Sequence, residues 1–134
     1  MIVINIVSCG KKEIRYFSPE RMTADMEHFR KLNTQKLKFL TQYGVNESSN
    51  ISLEFYFATD DSLKAQGLVS ELPSPAYHFN KVHRSSKDKK LWVISGSGPQ
   101  IKMDLQALTT WTNKLCEIGY AHDCELLGWN PVAE

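Results

Sequence analysis

The run from Ile51 to Phe57 constrains the fold of this chain more than any other segment, because apolar and mixed residues alternate along it. Alternate side chains of a β-strand point to opposite faces of the sheet. One face would carry four large apolar side chains: Ile51, Leu53, Phe55 and Phe57. The other would carry Ser52, Glu54 and Tyr56. The pattern predicts a strand with one face under helices and the other face open to water or to a partner.

A helix and then a pair of strands are expected after this strand. Thr59-Asp60-Asp61 is typical of a helix start, with Thr59 or Asp60 as the N-cap, and Pro73 ends that helix. Residues 76–84 and 89–95 read as two strands joined by a polar turn. They predict a β-hairpin.

A second helix and a last strand complete the pattern. The Gly-Ser-Gly-Pro stretch at 96–99 is expected to end the hairpin. Asp104 is a suitable N-cap, an apolar stripe of helical spacing follows it, and Gly119 is a typical stop. The last strand is expected at about residues 122–127.

The order strand, helix, strand, strand, helix, strand predicts an α+β fold, the ferredoxin-like βαββαβ sandwich, with both helices on one face of the sheet. This domain would span residues 45–134. Residues 1–44 would be an N-terminal extension packed on it, with a short strand near Ile2 and a helix that starts with Ser18 as cap. Asn33 is a position where that helix could break.

The overall charge is close to neutral, but the charge is unevenly distributed. Lys and Arg total 16 and Asp and Glu total 15, a formal net charge of +1, which argues against a dedicated duplex-DNA binder. The hairpin region, residues 78–90, contains five basic residues and one acid, which leaves a charge of +4: Lys81, Arg84, Lys87, Lys89, Lys90 and Asp88. Two interpretations stay open. The lysines protect an edge strand from pairing, or the hairpin docks on an acidic partner or on phosphates.

The sequence predicts no catalytic residue, no cofactor site and no metal site. His78 and His83 are five apart, which puts them on opposite faces of a regular strand. Cys124 and His122 would share a face near Cys116, but paired Cys-x-x-Cys spacing is missing. Asp123 would point away from both neighbours, which weakens a nucleophilic site there.

Three aromatic residues are candidates for partner binding. Tyr56, and with it Trp92, would lie on the open sheet face, where aromatics stack bases in RNA-recognition modules of this fold. Glu54 on the same face would repel phosphate. Trp129, close to the end of the chain, fits core packing and an interface anchor equally well.

Location is predicted from the cysteines and from the apolar runs. Three cysteines at irregular spacing favour a reducing compartment over a disulfide framework. No apolar run approaches the ~20 residues of a membrane helix. We expect a cytoplasmic protein without membrane contact; a lipoprotein remnant ending at Cys9 is the alternative.

Residues 37–132 resemble the regulator of ribonuclease activity B (RraB) family, which includes ribonuclease E inhibitors. The resemblance rests on the order and spacing of a series of short matches: Tyr43-Gly44-Val45, Leu53 to Phe57, Thr59-Asp60-Asp61, Trp92, a helix with Leu105, Leu108 and Leu115, and Gly128-Trp129. It implies a ferredoxin-like fold without enzymatic activity, in proteins that bind a ribonuclease and alter its activity by contact. The near-neutral charge differs from the acidic inhibitors of that family.

The sequence therefore predicts a non-catalytic protein that binds a ribonuclease or a nuclease-containing assembly. An immunity protein that neutralises a secreted nuclease toxin is the first alternative, and an RNA-binding module is the second. The oligomeric state is not predicted.

Overall fold

Three helices and four strands make up the part of the chain that the computed structural model describes, residues 14–72 and 76–132. In chain order they are α1 (Pro19–Thr41), β1 (Asn50–Thr59), α2 (Ser62–Glu71), β2 (His78–Arg84), β3 (Trp92–Lys102), α3 (Leu105–Ala121) and β4 (Glu125–Pro131). The expected strand near Ile2, together with Cys9 and Pro73, lies outside the described residues.

The strands form one antiparallel sheet in the order β2-β3-β1-β4. From β1 onward, the elements follow the βαββαβ order with β1 and β3 in the centre. The α+β, ferredoxin-like fold predicted from the sequence is therefore confirmed.

The apolar face of β1 is the centre of the core. Leu53, Phe55 and Phe57 are fully buried there, together with Leu68 of α2 and Leu115 of α3. Burial of side chains of this size stabilises the fold by about 2 kcal/mol each. The alternation along β1 thus predicted correctly which face the helices cover.

The Gly-Ser-Gly-Pro stretch was wrongly expected to end β3, because it lies inside that strand. A Cβ atom on Gly96 would lie 2.7 Å from the carbonyl oxygen of His78 and 3.0 Å from the Phe55 ring. Glycine is needed at this position for the close approach of β2 and of an aromatic ring, and not for a turn.

The helix boundaries correct two further predictions. Asp61 is the N-cap of α2, where its Oδ1 accepts a bond from the Leu63 amide at 2.8 Å. Thr59 is instead the last residue of β1. Gly119 does not end α3, which continues to Ala121. Glycine is needed at position 119 because a Cβ atom on it would collide with the carbonyl of Cys124. Asp104 caps α3 as predicted.

Helix α1 is continuous and does not break at Asn33. It packs beside α3 and follows β4, with Arg21 bonded to Glu125 at one end of that strand. Towards the other end, Lys36 Nζ donates to the main-chain oxygen of Trp129. The helix thereby accompanies one edge of the sheet along its length.

Candidate docking surface

The turn between β2 and β3 is held by its own polar side chains. Ser85 Oγ accepts bonds from the amides of Lys87 and Asp88, both at 3.2 Å. Asp88 Oδ1 accepts from the amide of Lys90 at 3.0 Å. The one acid of the hairpin therefore bonds to the main chain of the turn and orders it.

The five basic side chains of the hairpin are exposed and form no ion pair with any described residue. Most other described cations are paired. The pairs join Arg15 to Asp123, Arg21 to Glu125, Arg30 and Lys31 to Glu27, Lys64 to Asp60 and Asp123, and Lys102 to Asp104. The positive charge predicted from the sequence is therefore exposed and available to a partner.

Trp92 does not lie on the open face with Tyr56, which corrects the expectation from sequence. It pairs with Thr59 and Arg84 in the register, and it lies two residues before the buried Ile94 and therefore on the same face, towards the helices. Tyr56 lies on the opposite face, where its hydroxyl donates to Glu54 at 3.2 Å. The sheet therefore separates the two aromatics proposed to stack bases together.

Trp92 instead lines an open groove of about 570 Å³ between α2 and the hairpin. Val69 of α2 and Val82 of β2 are its other apolar residues. The remaining lining residues share the groove-facing side of α2 and are polar: Ser62, Gln66 and Ser70. The Arg84 guanidinium lies 4.8 Å from the centre of the Trp92 ring, so the groove adjoins the basic hairpin.

Trp129 is fully buried and does not provide a surface anchor. Its indole Nε1 donates to Asn33 Oδ1 at 2.9 Å, and Lys36 Nζ lies 4.3 Å from its ring centre. Of the two roles considered from sequence, the structure supports core packing. The contact with Asn33 joins α1 to the sheet, which no spacing within either element indicates.

The cysteine-histidine cluster has the burial and bonding of structural residues. Cys116 and Cys124 are buried, and burial raises the pKa of each thiol to about 12, which keeps both protonated. His122 Nε2 lies 3.0 Å from Glu71 Oε1. Asp123 lies in the turn before β4, not in a strand, with a φ of 57°, so strand alternation does not govern its direction.

The described residues contain no group of three side chains suited to hold a metal ion. A bulge between Phe79 and Lys81 corrects one detail, because His78 and His83 then lie on the same face, opposite Ser97 and Val93. Their register partners Ser97 and Val93 are four residues apart along β3, which separates the two histidines by about 13 Å, too far to share one ion.

Comparison with known proteins adds one match. A family model described as Regulator of ribonuclease activity B matches residues 30–130. No curated protein matches the chain. Among the helices described, none has the length and hydropathy needed to cross a bilayer.

Proposed function

Because the chain belongs to the regulator of ribonuclease activity B family, we propose that it binds a ribonuclease, or an assembly that contains one, and changes RNA cleavage through protein contact. The family match over residues 30–130 is the observation that carries this proposal. It covers β1, β2 and β3, all but the last residue of β4, and the second half of α1.

The basic hairpin is the surface that we propose for docking. Lys81 is exposed on β2 at the edge of the sheet, and Lys87, Lys89 and Lys90 are exposed on the ordered turn that follows it. Exposed charges of this kind mainly raise the rate of encounter with an oppositely charged partner and fix the orientation of binding. An acidic surface on the ribonuclease, covered by the hairpin, would account for regulation without any reaction on this chain.

The test starts with the full chain as bait in extracts of its native cell. The captured material should contain a ribonuclease, and its cleavage of a labelled RNA should change as purified chain is added. The paired variant Lys87→Glu/Lys89→Glu should weaken this effect about tenfold, since two reversed charges face the acidic partner.

Lys38→Glu/Lys114→Glu is the matched control, because both lysines are exposed and form no ion pair within the described residues. It should act like the unmodified chain. Captured material without ribonuclease activity, or cleavage that excess chain leaves unchanged, would refute the proposal. A captured toxin nuclease encoded beside this gene would identify the protein as an immunity factor instead of a housekeeping regulator.

A further inference from the structure

We propose that the groove between α2 and the hairpin binds an acidic segment of the partner protein and accommodates one apolar side chain of that segment. The inference rests on the proposed function in one respect, that the partner is a protein. It adds the binding position and the chemistry of the bound segment.

The walls of the groove differ in polarity. Val82 and Trp92 provide an apolar wall on the sheet side, Val69 of α2 adds to it, and Val82 is 40% exposed although it faces the helix layer. Helix α2 lies over β1 and β3, which leaves this part of β2 uncovered. Apolar surface of this kind is stabilised when an aliphatic or aromatic side chain covers it.

The α2 wall also offers hydrogen bonds to a peptide main chain. Ser62, Gln66 and Ser70 lie along one side of α2 with hydroxyl and amide groups. The Ser62 hydroxyl and the Gln66 amide can donate to the carbonyl oxygens of a bound segment, whereas Ser70 Oγ, which donates to the Gln66 carbonyl at 3.0 Å, can accept from its amides. An apolar pocket with a few polar groups beside it is the usual arrangement of a binding site.

Charge continuity indicates that the segment is acidic. Arg84 stacks on Trp92 at the groove and donates to the carbonyl oxygen of Lys89 in the turn. The apolar wall thus continues directly into the exposed cations of the hairpin. A segment with its apolar side chain in the groove would place adjacent carboxylates beside Arg84 and Lys89.

The same geometry favours a protein segment over RNA. The Arg84 guanidinium already occupies a position over the Trp92 ring, which obstructs base stacking there. Val69 and Val82 form an aliphatic surface, which suits a side chain better than a sugar-phosphate backbone.

The experiment uses the full chain to select binders from a displayed library of random linear peptides. Selected peptides should combine several Asp or Glu residues with one large apolar residue. A synthetic copy is then titrated into isotope-labelled chain. Trp111 and Trp129 are buried, so the indole N–H signal of Trp92 is the one expected to shift. Peptide copies with the apolar residue changed to Ala, or the acids changed to amides, should bind at least about tenfold more weakly.

Two variants separate the groove from the rest of the surface. Val82→Glu places a carboxylate in the groove and should weaken peptide binding at least about tenfold. Leu127→Glu is the matched control, since Leu127 is 50% exposed and lies on β4, away from the groove. It should bind the peptide like the unmodified chain. Heat denaturation of both variants checks that each is folded.

Three outcomes would overturn the inference: selected peptides without acidic residues, equal binding by Val82→Glu and Leu127→Glu, or a shift of the Trp92 signal with single-stranded RNA but not with peptide. These results are independent of the ribonuclease test. If a ribonuclease is captured and regulated while the peptide fails to enter the groove, only the binding position is wrong. If the peptide binds and no ribonuclease is captured, only the function is wrong.

Discussion

Asp123 holds the segment before α1 against the end of the sheet. Its Oδ2 accepts from the Tyr16 amide at 2.5 Å and from Lys64 Nζ at 2.6 Å, and its Oδ1 accepts from the Phe17 amide at 3.2 Å. Burial alone would raise the pKa of this carboxyl group. Lys64 and the two amides outweigh burial and place the pKa below its usual value.

We expect Asp123→Asn to lower the free energy of unfolding by about 1–3 kcal/mol at neutral pH. A carboxyl group with a lowered pKa in the folded state stabilises the fold above its unfolded pKa, and this contribution is lost as the pH falls through the folded value. The deficit of the variant should therefore shrink in urea unfolding at about pH 3. Asparagine tolerates the positive φ, so the variant removes the charge and one acceptor oxygen without adding backbone strain. Equal deficits at both pH values would contradict this account.

The pKa of Asp25, on α1, is shifted in the opposite direction. It lies beside the buried Glu125, whose carboxylate binds Arg21 through two hydrogen bonds of 2.7 and 2.8 Å. Burial and the proximity of Glu125 raise the pKa of Asp25 to about 7. The folded protein therefore keeps a proton at mildly acidic pH that the unfolded chain releases, and stability falls as the pH rises towards 7.

Asp25→Asn should accordingly stabilise the protein by about 1 kcal/mol at pH 8, allowing for partial solvent screening, and by less at pH 5. Thermal or urea unfolding at the two pH values measures this difference. Glu20→Gln changes an exposed acid of the same helix and serves as the control. A gain that is the same at both pH values would show that the carboxyl pair is not its source.

At the scale of elements, Asn33 connects α1 to the domain that it accompanies. Its amide nitrogen donates to the Thr112 hydroxyl at 3.1 Å, and its oxygen accepts from the Trp129 indole at 2.9 Å. All three side chains are buried. One amide thereby satisfies polar groups of α3 and β4 that are buried away from solvent.

Asn33→Ala should cost about 2–3 kcal/mol in urea unfolding, because the indole N–H of Trp129 is left buried without its acceptor. Thr34→Ala is the control. Its hydroxyl is exposed and bonds only to the Arg30 carbonyl within the same helix, at 3.3 Å. Because Ala has the highest helix propensity, Thr34→Ala should leave the free energy of unfolding unchanged or slightly raise it, and a loss as large as that of Asn33→Ala would mean that the buried bonds are not the source of the cost.

Elements could be predicted from the sequence where the signal lies in neighbouring residues. The predictions were wrong where a residue's role depends on a contact that is distant in sequence. The alternation along β1 and the cap at Asp104 need only neighbouring residues, and both predictions are confirmed. Asn33 resembled a helix break because its hydrogen-bond partner Trp129 lies 96 residues away. Gly96 resembled a turn because the His78 carbonyl that requires a glycine belongs to another strand.

The docking surface, likewise, could be predicted from the sequence only in part. Composition alone identified the charge of the hairpin, since Lys87, Lys89 and Lys90 are close in sequence. The side on which Trp92 lies depends on where β3 begins, and the residues of α2 that complete the groove have no distinguishing spacing. Local charge was therefore predictable, and the groove beside it was not.

At the scale of the whole molecule, the five exposed cations of the hairpin form no ion pair with any described residue. Affinity for an acidic partner should therefore decrease as salt is added, by about tenfold between low salt and 0.5 M, since screening shortens the reach of these charges. Titrations of the captured ribonuclease at increasing ionic strength measure this dependence. Lys87→Glu/Lys89→Glu should flatten it, whereas Lys38→Glu/Lys114→Glu should not. A dependence unaffected by the hairpin variant would place the charged contact elsewhere.

The position of α1 beside β4 has a consequence for self-association. A filament that grows by strand pairing needs two unpaired edge strands on every subunit, because each subunit must pair with one neighbour on either side. Within the described residues, α1 lies along the edge strand β4, and β2 is the edge strand that stays available for pairing. Two subunits could therefore join through their β2 strands, but a third could not be added to that pair. This limits fibre formation by this fold.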